Sequence, residues 1–402
     1  KNSQMRTTVL RASIQRDAVV LRWGDSHVSR FANIWLRDHC PQSLHPTSNQ
    51  RAVPLRALSH AMQPVHLTLG NGADGQTVEL TWPAVQDPTR CEHTSVFASS
   101  WLRERCYSDA ARSARAARGH AAPMIAGTQT FAWDDVVPCE GDRAQRADGL
   151  LACLEHLDAA GYVLISGVPS TMDATASLAQ RLGVIQETFY GRMWDTGGSA
   201  EDDRAHAEAV TDTAYSNDML PLHTDCTYLT QPPGLQLFNC AAQAVASGDT
   251  PLAGATRLVD GFQVGEAMRS EFPDAFRFFC RAHLPFQHVV GDVHVRATAP
   301  VFTLHPHTGA IVAFRYNETD RAPLDVLSAD DVDAFYRCVP VLEETVSRFE
   351  TAVRLERGNA IVIDNHRTLH GRYGFTGKRH LMGCYLTADD WRSRLRVLRA
   401  RS

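Results

Sequence analysis

The sequence predicts a mainly β fold with flanking helices, in which a small N-terminal β domain precedes a larger sandwich or barrel. Short apolar runs separated by Gly, Pro and Asp recur along most of the chain, and such spacing is typical of antiparallel sheets. Near the N-terminus, pairs of alternating runs flank turn-rich segments, as the strands of hairpins do. The 402 residues suffice for two or three domains of about 150 residues each.

Two hairpins are predicted in the N-terminal part. In the first, the strands cover residues 18–23 and 27–31, and a Gly-Asp-Ser turn joins them. In the second, the strands cover residues 65–69 and 78–82, and the segment between them is rich in Gly, Asn and Asp. Both hairpins have one apolar face, which predicts that they pack together as a β domain.

The chain divides into three predicted parts. Residues 1–108 form the small β domain. Residues 109–128 are rich in Ala and Arg without strong apolar periodicity, which indicates a connecting segment that contains a short helix. Residues 129–402 form the larger domain.

The larger domain begins with a predicted helix and continues mainly as strands. Leu150, Leu154 and Leu157 recur at helical spacing, and Gly161 ends this helix before an apolar strand at 162–165. Gly, Pro and Asp separate the strands that follow. These predicted strands cover residues 235–239, 256–259, 310–316, 359–364 and 381–386.

Composition excludes several classes of function. Lys and Arg number 40 against 45 Asp and Glu, and the net charge of −5 gives no basic excess for nucleic acid or an anionic membrane. Apolar runs stay shorter than the roughly 18 residues that a membrane span requires. No phosphate-binding glycine loop or serine-hydrolase elbow is found. The ten dispersed cysteines suit a reducing compartment, so we expect a cytoplasmic protein, with the mitochondrial matrix as the alternative.

A candidate metal site is the most informative pattern. His223 and Asp225 form a His-x-Asp pair where a strand meets a loop, so both side chains project to one side. His370 lies at the end of a later apolar strand, just before a glycine. Two imidazoles and one carboxylate form the facial triad that leaves adjacent positions open on Fe(II). Arg379 follows, and its guanidinium suits a carboxylate such as that of 2-oxoglutarate.

On these motifs the chain resembles the 2-oxoglutarate-dependent dioxygenases of carnitine biosynthesis, the trimethyllysine and gamma-butyrobetaine dioxygenase family. The resemblance implies a double-stranded β-helix, or jelly roll, in the large domain, and a homodimer. It also implies that His223, Asp225 and His370 bind Fe(II), that Arg379 and Thr256 anchor 2-oxoglutarate, and that O2 is consumed. The motifs are IWLRDHC at 34–40, HTDCTY at 223–228, PPGLQLFNC at 232–240, LVDGF at 258–262, RYNETDRA at 315–322 and the run at 363–391.

The resemblance also indicates a small quaternary-ammonium substrate. Such a group makes no hydrogen bonds and is held by aromatic faces. The predicted cage consists of Tyr190, Trp194, Tyr215 and Tyr385.

Asp212 favours trimethyllysine among these substrates, because the gamma-butyrobetaine enzymes carry Asn at the matching place and trimethyllysine has an additional ammonium group. Asn317 is the candidate partner of the substrate carboxylate. Gamma-butyrobetaine or another trimethylammonium compound, such as trimethylaminoethylphosphonate, is the alternative substrate. A sensor that binds 2-oxoglutarate or a quaternary amine without turnover, and a cupin-type isomerase, are the alternatives from other classes.

A structural zinc site is also predicted in the N-terminal domain. Members of the family bind zinc there through Cys and His residues, and this sequence supplies a partly matching set. The candidate ligands are Cys40, His45, Cys91 and His93. The alternative is a metal-free β module packed by Trp35 and Trp82.

Overall fold

A computed structural model describes residues 7–73, 75–85, 87, 91–120, 128–137, 145–196, 217–245 and 249–401. The chain forms two compact units, Lys1–His120 and Ala121–Ser402. The division falls inside the segment 109–128 that is predicted to connect the domains, and Asp109–His120 of this segment is helical. The domain boundaries at 108 and 129 stay predictions.

The N-terminal unit contains two three-stranded antiparallel sheets. Strands β1, β2 and β3 pair in that order, and so do β4, β5 and β6. Both predicted hairpins are therefore confirmed. The strands are β1 Val9–Ile14, β2 Ala18–Trp23, β3 Val28–Ala32, β4 His66–Gly72, β5 Gly75–Trp82 and β6 His93–Ala98, and the helices are α1 Asn33–Asp38, α2 Ser99–Glu104 and α3 Asp109–His120.

Two buried tryptophans anchor the core of the N-terminal unit. Trp23 and Trp82 are fully buried, and each indole N–H donates to a serine hydroxyl, Ser29 at 2.8 Å and Ser95 at 2.9 Å. Satisfying the indole N–H inside the core avoids the cost of an unpaired donor. The prediction that Trp82 packs this module is confirmed, and Trp35 packs against the same core while partly exposed.

The C-terminal unit contains two main sheets. The larger has the order β10-β21-β12-β19-β8-β7, with β9 also paired to β21, and the smaller has the order β11-β20-β13-β18. Two short hairpins, β14-β15 and β16-β17, accompany them. The strands are β7 Thr130–Ala132, β8 Tyr162–Ser166, β9 Ile185–Gln186, β10 Trp194–Asp195, β11 Leu220–His223, β12 Leu235–Val245, β13 Thr256–Asp260, β14 Leu284–Val290, β15 Val293–Ala299, β16 Phe302–Leu304, β17 Ile311–Phe314, β18 Thr351–Val353, β19 Asn359–Asp364, β20 Thr368–Arg372 and β21 Gly377–Leu386.

Seven helices flank these sheets in the described part of the unit. Side-chain caps start several of them: Thr171 accepts from the Ala174 N–H, and Ser328 accepts from the Asp331 N–H. Each cap satisfies an N–H group that has no partner within the helix. The helices are α4 Trp133–Val136, α5 Gln145–Ala160, α6 Met172–Leu182, α7 Gly261–Glu271, α8 Pro273–Arg281, α9 Ala329–Arg348 and α10 Ala388–Arg399.

The larger sheet buries both of its faces. On one face, Val163 and Leu237 pack against Leu154, Leu178 and Trp391 of the helices α5, α6 and α10. The other face of the larger sheet meets the smaller sheet. This arrangement explains why β19 is apolar along most of its length, since a central strand buried on both sides has no solvent face.

Contacts between the two sheets form a separate core. Leu258 of β13 packs with Ile361 of β19 and Leu381 of β21. The predicted mainly β fold with flanking helices is confirmed, and the paired sheets agree with a jelly roll. All the predicted strands are present, some with shifted ends: the strand predicted at 310–316 is β17, and the one at 381–386 begins earlier, as β21.

No helix in the described part of the chain is long and apolar enough to cross a membrane.

Gly383→Ala tests how tightly the larger sheet packs around Trp194. Gly383 pairs with Trp194 across β10 and β21, and a methyl group there would overlap the Trp194 ring and the Leu237 carbonyl oxygen. We expect this substitution to lower the free energy of unfolding by about 1–3 kcal/mol in chemical denaturation. Gly374→Ala is the control, because its methyl group would meet its nearest neighbour, the Met219 nitrogen, at 3.4 Å. Equal stability of the two variants would contradict the packing described.

Candidate metal centre

Strand pairing brings the predicted metal ligands together. His223 ends β11 and lies opposite His370 of β20 in the antiparallel register, so their rings are 4.7 Å apart between centroids. Asp225 follows β11 and contacts both: its Oδ1 is 3.2 Å from His223 Nε2, and its Oδ2 is 3.4 Å from His370 Nε2. One potential ligand atom from each residue lies within 4.8 Å of the others. The three residues therefore form a single candidate metal site.

The ionisation of Asp225 suits a divalent cation. Burial alone would raise the pKa of Asp225, but the imidazoles of His370 and His223 outweigh it and hold that pKa well below its usual range. Burial by itself would lower the pKa of His223, but the hydrogen bond to Asp225 and the charge of that carboxylate together outweigh it and raise that pKa to about 8. A metal ion would therefore displace a proton from His223 when it binds at neutral pH. The site therefore carries an ionised carboxylate that is mostly shielded from solvent, where a bound cation would be strongly attracted.

The imidazoles are oriented for coordination. His223 Nδ1 donates to the Pro221 carbonyl at 2.7 Å, which directs Nε2 toward Asp225. Both ring nitrogens of His370 are buried, and neither has a hydrogen-bond partner among the described residues. A metal ion would satisfy one of these nitrogens. Two imidazoles and one carboxylate fit the facial triad of a non-haem Fe(II) centre.

A cavity between the two sheets opens beside this cluster. The smaller sheet supplies His223, His370 and Thr256, and the larger sheet supplies Arg379 and Tyr385. The metal ligands thus share one cavity with the predicted anchors of 2-oxoglutarate.

Arg379 presents a buried positive charge to the cavity. Its Nε is buried and has no hydrogen-bond partner among the described residues. Burial, and then the nearby Arg372 guanidinium, lower the pKa of Arg379 to about 10. A buried guanidinium N–H without an acceptor is costly, and a carboxylate would offset that cost. The cavity therefore fits an anionic ligand at the Arg379 end.

Aromatic side chains line another part of the cavity, which we call the aromatic wall. Tyr190, Trp194 and Tyr385 all border the cavity, and the rings of Trp194 and Tyr385 are 6.4 Å apart. The Tyr385 hydroxyl donates to Asp225 Oδ2 at 3.0 Å. The Tyr190 hydroxyl is hydrogen-bonded to that of Tyr228 at 2.9 Å. Three of the four predicted cage residues are therefore brought together next to the metal ligands.

The sequence matches the family described as "Taurine catabolism dioxygenase TauD, TfdA family" over residues 133–385. This stretch is more than half of the chain and contains the metal cluster, Arg379 and the aromatic wall. The chain belongs to the TauD, TfdA dioxygenase family.

Curated relatives extend the similarity to the N-terminal unit. The mitochondrial trimethyllysine dioxygenase of Gallus gallus is 31% identical over 392 residues, which cover 95% of this chain and 86% of the relative. The gamma-butyrobetaine dioxygenase of Pseudomonas sp. (strain AK-1) is 31% identical over 389 residues, which cover 94% of this chain and 93% of the relative. A solved structure of the non-heme iron oxygenase OrfP in complex with Fe and alpha-ketoglutaric acid matches 67% of this chain and 96% of its own, with a TM-score of 0.47 and 15% identity.

The dioxygenase family and the cluster together confirm the enzyme class. The protein is a 2-oxoglutarate-dependent dioxygenase, and Fe(II), 2-oxoglutarate and O2 are confirmed as its cofactors and co-substrate. The homodimer and the cellular compartment stay predictions.

Asn317, which is also predicted to bind the substrate, does not border the cavity. Asn317 is buried, and its Oδ1 accepts from the backbone N–H of Thr319 at 3.0 Å and from the Thr319 hydroxyl at 2.7 Å. Asn317 is not among the described residues that line the cavity. Asp212 and Tyr215 lie outside the described residues.

The predicted zinc ligands of the N-terminal unit are not gathered into one site. Cys40 Sγ lies 3.1 Å from His93 Nε2, so one pair of the four is close. His45 is exposed, and its Nδ1 accepts from the N–H groups of Thr47 and Ser48, while Cys91 is exposed. Within the described ranges, His223, Asp225 and His370 are the one cluster of three or more candidate ligands. The structure therefore does not support the zinc prediction.

Several cavity residues were not predicted from the sequence. Gln236 and Phe238 of β12 line the cavity, whereas Leu235 and Leu237 point to the helices on the opposite face. This alternation is visible in the sequence, because side chains two apart on a strand share a face. Arg372 also lines the cavity; it lies two residues after His370 and therefore projects from the same face of β20.

His370→Ala tests the metal centre. We expect the Fe(II) affinity, measured by anaerobic calorimetry, to fall by more than about 100-fold, because a direct ligand is lost. Removal of a residue that only supports a ligand typically lowers metal affinity by roughly 10- to 100-fold. His366→Ala is the matched control, since the His366 ring Nε2 lies 3.0 Å from the Pro232 carbonyl oxygen and the residue is not part of the cluster. Equal Fe(II) affinity of the two variants would contradict this assignment.

Proposed function

We propose that this enzyme hydroxylates N6,N6,N6-trimethyllysine at C3 and converts 2-oxoglutarate and O2 to succinate and CO2. The named relatives act as trimethyllysine or gamma-butyrobetaine dioxygenases, which supports hydroxylation of a trimethylammonium substrate. The observation that carries the proposal is the aromatic wall of Tyr190, Trp194 and Tyr385 directly beside the metal ligands.

In this proposal the metal centre and the arginine hold the cofactors. His223, Asp225 and His370 bind Fe(II), and Arg379 with Thr256 binds the distal carboxylate of 2-oxoglutarate. When bound, Fe(II) and 2-oxoglutarate supply O2 activation through oxidative decarboxylation. The protein contributes placement, because the two sheets fix the anion-binding end and the aromatic wall at set distances from the three ligands.

The aromatic wall binds the trimethylammonium group. A quaternary ammonium ion makes no hydrogen bonds, and aromatic faces attract it by about 0.5–2 kcal/mol each through cation–π interactions. Tyr190, Trp194 and Tyr385 supply three such faces, and Tyr215 is proposed as the fourth. Because this wall adjoins the metal ligands, it would hold a carbon of the substrate chain close to the centre.

The opposite end of the substrate distinguishes the candidates. Trimethyllysine carries an α-ammonium group that gamma-butyrobetaine lacks. The carboxylate of Asp212 would attract that ammonium and repel the carboxylate of gamma-butyrobetaine. The position of Asn317 outside the cavity lining gives its proposed contact with the substrate carboxylate no support.

Gamma-butyrobetaine is the second candidate substrate. The Pseudomonas gamma-butyrobetaine dioxygenase is as similar to this chain as the trimethyllysine dioxygenase of Gallus gallus, at 31% identity each. Other trimethylammonium compounds, such as trimethylaminoethylphosphonate, share the group that the aromatic wall would bind.

A parallel assay with trimethyllysine, gamma-butyrobetaine and trimethylaminoethylphosphonate tests the proposal. Succinate and hydroxylated product are measured together for each compound, which separates productive turnover from uncoupled decay of 2-oxoglutarate. Preferential hydroxylation of trimethyllysine is expected. Preference for another compound would reassign the substrate, and binding without succinate release would indicate a sensor.

Asp212→Asn tests the choice of substrate. We expect hydroxylation of trimethyllysine to fall roughly tenfold or more, about 1.4 kcal/mol, because the variant loses the charge that faces the α-ammonium. Substrate-independent decay of 2-oxoglutarate serves as the internal control and should hardly change. If both activities fall equally, Asp212 supports the active site in general and does not select the substrate.

Arg379→Ala tests the anchor for 2-oxoglutarate. We expect KM for 2-oxoglutarate to rise at least about 30-fold, since losing one partner of a buried charge pair costs ~2 kcal/mol or more. Lys378→Ala is the control, because it removes an exposed cation at the preceding position. An unchanged KM in Arg379→Ala would place the 2-oxoglutarate carboxylate elsewhere.

A further inference from the structure

We propose that Asn365 is a positioning residue that sets Asp225 in the metal centre by holding the backbone of the aspartate. This inference rests on the proposed function, in which Asp225 is an iron ligand. Asn365 is buried outside the triad, and its side chain contacts the backbone of Asp225 and not its carboxylate. It therefore acts through another residue and does not touch the reacting groups.

The side-chain amide of Asn365 binds the Asp225 backbone at two points. Its Oδ1 accepts from the Asp225 N–H at 2.7 Å, and its Nδ2 donates to the Asp225 carbonyl at 3.1 Å. The same Nδ2 donates to the Pro233 carbonyl at 3.0 Å, and the Asn365 backbone N–H donates to the Gly234 carbonyl at 3.0 Å. The Asn365 side chain thus pairs with the N–H and the carbonyl of Asp225, as the backbone of a neighbouring strand does within a sheet.

The Asp225 backbone needs such support because the ladder ends before it. Strand β11 stops at His223, and Cys226 adopts a left-handed conformation with φ 54°. A non-glycine residue in this region carries a strain of order 1–3 kcal/mol and persists only when its surroundings enforce it. Asn365 fixes the peptide groups on both sides of Asp225, next to that strained position.

Asn365 also links the two segments that carry the ligands. It lies in the turn between β19 and β20, and β20 carries His370. Within this turn the Arg367 N–H donates to the Asp364 carbonyl at 3.0 Å, and the Asp364 N–H donates to Gly161 at 2.7 Å. Because the side chain of Asn365 binds the Asp225 backbone, this turn connects the loop that contains Asp225 to the start of the strand that contains His370. Metal geometry requires such placement to within about 0.5 Å.

Asn239 provides a matched control for a purely structural role. It is fully buried on β12, and its Nδ2 donates to the Pro169 carbonyl at 3.0 Å and to the Thr175 hydroxyl at 2.9 Å. Its substitution removes buried amide hydrogen bonds as well, but none of them reaches a metal ligand. Both asparagines should therefore affect stability, and Asn365 alone should affect metal binding.

The experiment compares Asn365→Leu with Asn239→Leu, since leucine keeps the approximate side-chain volume and removes the amide. Fe(II) affinity of each purified, metal-free variant is measured by anaerobic calorimetry, and stability by chemical unfolding. We expect both variants to unfold more easily. We expect Asn365→Leu to bind Fe(II) roughly 10- to 100-fold more weakly than wild type, as the loss of supporting residues at metal sites does. Asn239→Leu should bind Fe(II) like wild type.

Equal Fe(II) affinity of the two leucine variants would overturn the inference. If wild type binds Fe(II) no better than His370→Ala, the ligand assignment fails instead, so the two failures are distinguishable. Should Asn365→Leu fail to fold, Asn365→Ala and Asn239→Ala replace the leucine pair, because alanine removes the amide and adds neither bulk nor charge. Weaker Fe(II) binding by Asn365→Ala than by Asn239→Ala supports the role, and equal binding overturns it.

Discussion

The antiparallel pairing of β11 with β20 is the constraint on which the active site depends. It places His223 directly opposite His370, although the two residues are far apart in the sequence. A slip of one residue in this register would turn one imidazole to the other face of the sheet and destroy the cluster. The pairing of β20 with β13 on its other side, through Leu258 and His370, holds the same strand in place. The chemistry of the site is therefore a consequence of strand register.

The larger sheet completes the cavity by contributing charge and aromatic surface. Arg379 and Tyr385 both lie on β21, whose pairing with β12 extends over most of the length of each strand. Their separation along one strand keeps the positive guanidinium apart from the aromatic wall, where a cationic substrate group would bind. The smaller sheet and the loop after β11 thus supply the metal ligands, and the larger sheet supplies most of the groups that discriminate between ligands.

Much of the site could be predicted because its residues occur in compact sequence patterns. His223 and Asp225 lie two residues apart, and the apolar run of β19 is recognisable just before the segment with His370. The expectation that this apolar strand itself carries His370 was wrong, because β19 ends at Asp364 and His370 lies on the next strand, β20. Gln236 and Arg372 were missed, because alternation shows which side chains share a face of a strand but not which of the two faces borders the cavity. The structure does not support the zinc prediction for a related reason: Cys40 and His93 do approach each other, but the sequence could not show that His45 and Cys91 are exposed.

Tyr385 connects two regions that would otherwise be independent. Its ring borders the aromatic wall, while its hydroxyl is bonded to Asp225. A molecule that displaces the Tyr385 ring must either break this hydrogen bond or move the Asp225 carboxylate with the ring. Occupancy of the aromatic end of the cavity is therefore coupled, through the Tyr385 phenol, to the position of a metal ligand.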